Sequence, residues 1–137
     1  VAQGILELQR CLPLTPDTRV LVIGPGAIGL MFVSAFRGLG LSAVDLAGRN
    51  ASRLEIGAAL GANPLAYAAL PERGEYDIVV ECTGMPEVWE RSVDLVRPGG
   101  TVMWFGGCAG GTKVTLDTGR IHYDQISLLS PFHFGTA

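Results

Sequence analysis

Long apolar runs, blocks of like charge and paired cysteines are all missing from this chain of 137 residues. No stretch approaches the roughly 18 apolar residues of a membrane span, and Val1 to Pro16 is broken by Gln, Glu and Arg, so it does not read as a signal peptide. Charged residues are only 17% of the chain, and 10 basic against 13 acidic side chains leave a net charge of -3, which gives nucleic acid or a membrane surface no electrostatic hold. The three cysteines, Cys11, Cys82 and Cys108, are odd in number, far apart and without a C-x-x-C pair. That argues against a zinc knuckle or a disulfide framework and makes a reducing, cytoplasmic setting the default.

What is present is apolar residues, at 48%, together with 19 glycines and 8 prolines, enough for one core and one domain. Short β-branched runs alternate with stretches whose apolar residues recur three or four apart, the pattern of a parallel sheet covered by helices. Strands are expected at Arg19–Ile23, Ser42–Ala47, weakly at Pro64–Tyr67, and at Asp77–Glu81, Thr101–Phe105 and Gln125–Ser130. Most are continuously apolar, as strands buried on both faces are. Ile28, Phe32, Ala35 and Leu39 mark a first helix ended by Gly38 and Gly40; a second starts at Asn50 or Ser52 and stops at Gly61; a third runs from Pro86 to Val96. The stretch GGCAGGTKVTLDTG is too glycine-rich for a helix and none is expected after it, so the last crossover reads as mostly irregular. Together these predict a doubly wound α/β Rossmann fold with six parallel strands in the order 3-2-1-4-5-6.

Leu21 to Gly29, LVIGPGAIG, holds the strongest chemical signal. A pyrophosphate needs backbone N–H groups and the positive end of a helix at close range, and a Cβ would hold it off. Gly24 allows the tight turn out of the strand, Gly26 lets the backbone approach the phosphates, and Gly29 lets the helix pack close to the sheet. The motif is informative because it follows a buried strand and opens a helix. The nucleotide is decided after the second strand, where an acidic residue would bind the ribose hydroxyls. At the end of that strand stand Gly48-Arg49-Asn50: the acid is missing, Gly48 leaves space, and Arg49 with Arg53 suits a phosphate, which points to NADP. The alternative is that Arg49 and Arg53 are solvated residues at a helix start and that Asp45 holds the sugar of NAD.

Other polar residues carry less. His122 and His133 lie 11 apart with no acidic partner at ligand spacing and read as structural or surface residues. Cys82 and Cys108 fit inert packing, Glu81 has no paired carboxylate and reads as structural, and Trp89 and Trp104 read as core or interface. Gly106 to Gly111 reads as a mobile loop beside the coenzyme. No catalytic residue and no metal ligand is expected within the chain.

Read in order, the glycine turn, GRNASRL, YDIVVECTG, RPGGTVMWFGG and GRIHYDQISLL resemble the coenzyme domain of the zinc-dependent medium-chain alcohol dehydrogenases, sorbitol and threonine-dehydrogenase-like enzymes among them. The resemblance runs from about Pro13 to Phe134. It implies that Gly26, Ala27 and Ile28 lie at the pyrophosphate, that Cys82, Thr83 and Gly84 lie beside the coenzyme, and that Phe105, Gly106 and Gly107 approach the nicotinamide with the segment Ser130 to Phe132. It also implies a zinc site in a separate domain, with residues 1–18 ending a helix that enters from that domain, residues 19–134 forming the dinucleotide-binding domain and residues 135–137 starting the return. The missing initial Met and the abrupt ends agree with a piece of something larger. Such a piece would bind coenzyme for an alcohol or polyol dehydrogenase without turnover of its own. A nucleotide-sensing or structural module, a zinc-free quinone or enoyl reductase domain, and a methyltransferase using S-adenosylmethionine remain as other readings of the same turn; the third glycine and Arg49 argue against the last. Gln125–Ser130, at the sheet edge, is expected to pair with a second copy.

Overall fold

The computed structural model describes residues 1–132; His133, Phe134 and the expected return segment 135–137 lie outside the described residues. Six parallel strands form one sheet in the order β3-β2-β1-β4-β5-β6, as the alternating pattern predicts. They are β1 Arg19–Ile23, β2 Ala43–Gly48, β3 Asn63–Ala66, β4 Tyr76–Glu81, β5 Val96–Trp104 and β6 Ser127–Leu129. Helices α1 Ala2–Cys11, α2 Ala27–Gly38, α3 Ala51–Ala59, α4 Pro86–Leu95 and α5 Thr118–Tyr123 accompany them, with a 3-10 turn at Tyr67–Ala69. This is a Rossmann-like α/β fold.

Successive strand residues point to opposite faces, so each central strand feeds two cores. Val20, Val22, Val44, Ile78 and Met103 meet Phe32 and Phe36 of α2 and Leu8 of α1 on one face. Leu21, Ile23, Val79, Val102 and Trp104 meet Val88, Val93 and Leu95 of α4 on the other. Residues 20–23 are essentially inaccessible, which explains why β1 reads as an unbroken apolar run. The order reverses direction between β1 and β4, and the loops after both strands leave from their carboxyl ends, where such sheets place their ligands.

Most strand ends shift by one or two residues from the sequence reading, with β6 shortened to Ser127–Leu129, and two features depart further. Strand β5 begins at Val96 rather than Thr101, because Val96 already pairs with Tyr76 before the ladder resumes at Ile78 and Thr101. Pro98, Gly99 and Gly100 therefore form an irregularity within the strand and do not precede it. A helix also does follow the glycine-rich stretch: Asp117 accepts from the N–H groups of Gly119 and Arg120 and starts α5, while the chain from Phe105 to Asp117 is irregular as expected.

Candidate functional site

The glycine turn connects β1 to α2, and each of its three glycines answers to a different constraint. Gly24 has φ +107, and a Cβ on it would stand 2.9 Å from Thr83 Cγ2. A Cβ on Gly29 would lie 1.9 Å from the carbonyl oxygen of Gly24, so the helix approaches the turn as only glycine allows. Gly26 differs from both: its backbone is extended and no atom lies within 4 Å of where a Cβ would be. Nothing in the protein requires glycine there, and the open space in front of it faces the first turn of α2. That turn holds Ala27, Ile28 and Gly29, has no side-chain cap and no acidic residue, and leaves its N–H groups and the positive helix end available to an anion.

Beside the turn lies a cavity of about 190 Å³ lined by Gly24, Pro25, Gly48, Arg49, Arg53 and Thr83, with Ile23, Asn50, Tyr67, Met85 and Val88 completing its wall. The structure thus brings Gly48, Arg49 and Arg53 together next to the turn. Asn50 accepts from the backbone N–H of Arg53 and caps α3, which sets both arginines at the carboxyl end of β2. The guanidinium of Arg49 rests over the ring of Tyr67, 5.3 Å from its centroid. Burial raises the Tyr67 phenol pKa, with Arg91 and Arg49 opposing, so Tyr67 presents a neutral ring to the cavity at neutral pH. Tyr67, Met85 and Val88 escaped the sequence reading, since only tertiary packing gathers three distant positions onto one wall.

Asp45 does not line this cavity. It lies within β2, before the strand's end at Gly48, and its carboxylate accepts from Tyr76 Oη and from Asn63 Nδ2 at 3.2 Å. Burial, and then that hydrogen bond, push the Tyr76 phenol far above its ordinary pKa.

The loops after β4 and β5 close the other side. Cys82 N–H donates to the Ile23 carbonyl at 2.8 Å, and Phe105 and Gly106 N–H both donate to the Glu81 carbonyl. Gly84, at φ +70, packs so tightly on the second loop that a Cβ would stand 2.5 Å from the Gly107 carbonyl oxygen. Cys82, Thr83, Gly84, Phe105, Gly106 and Gly107 therefore form one continuous backbone surface. A second cavity of about 380 Å³ adjoins it, lined by Phe105, Gly107 and Cys108, by Trp89 and Trp104, and by Ser130, Pro131 and Phe132.

Glu81 holds the first of these loops. Its carboxylate is fully buried and accepts from Thr83 N–H at 2.6 Å, from Gly84 N–H at 3.1 Å and from the Thr83 hydroxyl. Burial raises its pKa although these donors oppose the shift. These three bonds anchor the Thr83–Gly84 backbone on the carboxylate. Burial likewise pushes the Cys82 thiol well above its ordinary pKa, which suits inert packing. His122 is exposed on α5, edge-on to Tyr123. Among the described residues no group of three or more His, Cys, Asp or Glu could hold a metal ion, and no helix is long and apolar enough to cross a membrane.

The known proteins to which this chain is similar agree with one another. The chain is 33% identical over 112 residues to D-altritol 5-dehydrogenase of Agrobacterium fabrum, covering 80% of this chain and 33% of that protein. It is 35% identical over 104 residues to sorbitol dehydrogenase of Gallus gallus, covering 67% and 29%. It thus spans about a third of the length of these relatives. Among solved structures, a protein described as a zinc-binding dehydrogenase from Sinorhizobium meliloti 1021, bound to NADP, superposes with a TM-score of 0.83 at 26% identity, covering 94% of this chain and 41% of that one. L-idonate 5-dehydrogenase from Escherichia coli gives 0.79 at 25% identity, with coverage of 96% and 39%. A family model described as zinc-binding dehydrogenase matches residues 27–136, most of the chain. The chain belongs to the zinc-binding dehydrogenase family.

Proposed function

We propose that this chain is the coenzyme-binding domain of an NADP(H)-using alcohol or polyol dehydrogenase. The observation that carries the reading is the uncapped first turn of α2 with open space at Gly26, in the same glycine turn whose Gly24 and Pro25 line a cavity together with Gly48, Arg49 and Arg53. Gly24, Gly26, Ala27, Ile28 and Gly29 hold the pyrophosphate, since no acidic side chain stands among them and the space in front of Gly26 is open. Arg49 and Arg53 meet the phosphate on the adenosine ribose, where a guanidinium forms charge-assisted hydrogen bonds that a hydroxyl cannot match. The Cys82–Gly84 and Phe105–Gly107 loops, with Ser130 to Phe132, support the nicotinamide end. When bound, the nicotinamide supplies the carbon that takes or gives a hydride, and this chain's part is to orient it. The described residues offer no metal-ligand group, so no zinc-dependent step is assigned to them. The zinc and the substrate pocket belong, on this reading, to a separate domain from which residues 1–18 lead in and to which 135–137 return. The relatives' names support an alcohol or polyol as substrate.

Strand β6 is the last of the sheet and pairs only with β5 among the described strands. Its outer edge is the surface we assign to pairing with a second copy.

Calorimetric titration of the chain with NADP and NAD tests the coenzyme reading. A charge-assisted contact to the extra phosphate contributes about 1.5–3 kcal/mol, so NADP is expected to bind tenfold or more tighter, and Arg49→Ala to remove most of that difference. Equal affinities for the two coenzymes would overturn it.

A further inference from the structure

Gly48 is the last residue of β2, and its backbone is not in the left-handed region, so conformation does not require a glycine there. Space does. A Cβ at position 48 would lie 2.4 Å from Cδ and 2.5 Å from Cγ of Pro25, the second residue of the glycine turn. Both distances are far inside van der Waals contact. Most side chains meet such an intrusion by rotating away, but a pyrrolidine ring is bonded to its own backbone nitrogen and has nowhere to turn. The turn that carries it is fixed as well. Gly24 N–H donates to the Ala47 carbonyl at 2.9 Å, one residue before Gly48. On the opposite side Gly24 is backed by Thr83 and, through its carbonyl, by Gly29. Pro25 is itself buried.

In dinucleotide folds the end of the second strand is where a carboxylate side chain holds the ribose hydroxyls of NAD and repels an additional phosphate. Every such side chain begins with a Cβ. We propose that Pro25 is a specificity-determining residue: its ring bars any side chain from position 48 and so leaves the ribose of the bound dinucleotide facing Arg49 and Arg53. The preference is set from the phosphate-binding turn, one step removed from the sugar. Conversion to NAD then takes two changes, with position 25 relieved before an acid at position 48 can act.

This inference rests on the coenzyme reading above, and two double-mutant cycles on the 137-residue chain separate the two. The first uses a bare Cβ: Gly48→Ala, Pro25→Ala and the pair. Gly48→Ala alone is expected to lower the melting temperature by about 4 °C or more, and the pair to melt within about 1 °C of Pro25→Ala. Additive shifts, or a Gly48→Ala variant as stable as wild type, would sink the steric lock whatever the coenzyme. The second cycle uses Gly48→Asp and Pro25→Ala with NADPH and NADH titrated by fluorescence. Gly48→Asp alone is expected to weaken both coenzymes more than tenfold. Pro25→Ala weakens both by a similar factor and keeps their ratio, and the pair regains NADH binding tenfold over Gly48→Asp while NADPH stays lost. If Gly48→Asp alone gains NADH as well as the pair does, Pro25 has no part in the choice. Should Gly48→Asp fail to fold, rescue of folding in the pair supports the lock, and failure of the pair beside a folded Pro25→Ala overturns it. A wild-type chain that binds neither coenzyme would defeat the coenzyme reading and this inference together. One that prefers NADPH while both cycles are additive defeats only the inference.

Discussion

Trp89 of α4 and Trp104 of β5 lie face to face, with ring centroids 4.6 Å apart and planes within 1° of parallel. Each indole N–H is occupied: Trp89 donates to the Gly106 carbonyl at 2.8 Å, and Trp104 donates to Ser92 Oγ at 2.9 Å. The stack therefore ties helix, strand and the loop after β5 into one unit. Replacing Trp89 by Phe keeps a ring against Trp104 and removes the indole N–H, with its bond to Gly106 and its interaction with the Glu81 carboxyl. The expected loss is about 1 kcal/mol in urea unfolding, with faster amide exchange at Phe105 and Gly106. Trp89→Leu removes the stacking as well and is expected to cost about 1 kcal/mol more. A Phe variant with wild-type stability and exchange would show that the hydrogen bond holds nothing in place.

At the opposite end of the sheet, Asp77 accepts from the Arg19 N–H at 2.7 Å and pairs with Arg97 Nε. Partial burial works to raise its pKa, but these two donors outweigh it and the net shift is downward. A carboxylate held below its unfolded value of about 4 stabilises the fold in full above that value. The contribution is lost as pH falls through the lower folded value. Because Arg97 is 42% exposed, solvent screens the pair, and Asp77→Asn is expected to cost only about 1 kcal/mol at pH 7. Urea midpoints measured down to pH 2 should show wild type and variant converging below about pH 4. A gap that stays constant with pH would mean the charge on Asp77 contributes nothing.

Much of this was legible along the chain because it repeats at short range. The valine-rich β1, the turn GPGAIG and the cap at Asn50 each declare themselves within a few residues, and their order allows few topologies. Arg49 and Arg53 were legible too, since the end of β2 could be counted from its pattern. Strand β5 was truncated in the reading because Pro98-Gly99-Gly100 is a stop signal in isolation, whereas pairing of Val96 with Tyr76 carries the strand through it. Helix α5 was hidden by the glycines before it, although Asp117 at its start is an ordinary capping signal. The contact between Pro25 and Gly48 spans two strand ends, and no local pattern records it. The same holds for Tyr67, which reaches the cavity only because β3 lies beside β2.

Glu81 joins stability to the site, and pH separates its two effects. Its carboxylate is raised by burial, and the folded state therefore keeps a proton in a range where the unfolded chain, near the ordinary value of about 4.3, has already lost it. Stability should fall as pH rises through that range and level off once the folded carboxyl has also ionised. Glu81→Gln stays neutral throughout and keeps an oxygen for Thr83 and Gly84. The urea midpoint of the Gln variant relative to wild type should therefore move in the variant's favour between pH 4 and pH 8. Glu81→Ala instead strips the acceptor from two backbone N–H groups and the Thr83 hydroxyl, at a cost of about 1–3 kcal/mol. With the Cys82–Gly84 loop released, NADPH affinity should fall severalfold in the Ala variant and little in the Gln variant. If both variants bind alike, Glu81 serves the fold alone and the loop finds its shape without it; a midpoint difference flat across pH would mean that its carboxyl titrates as it does in the unfolded chain.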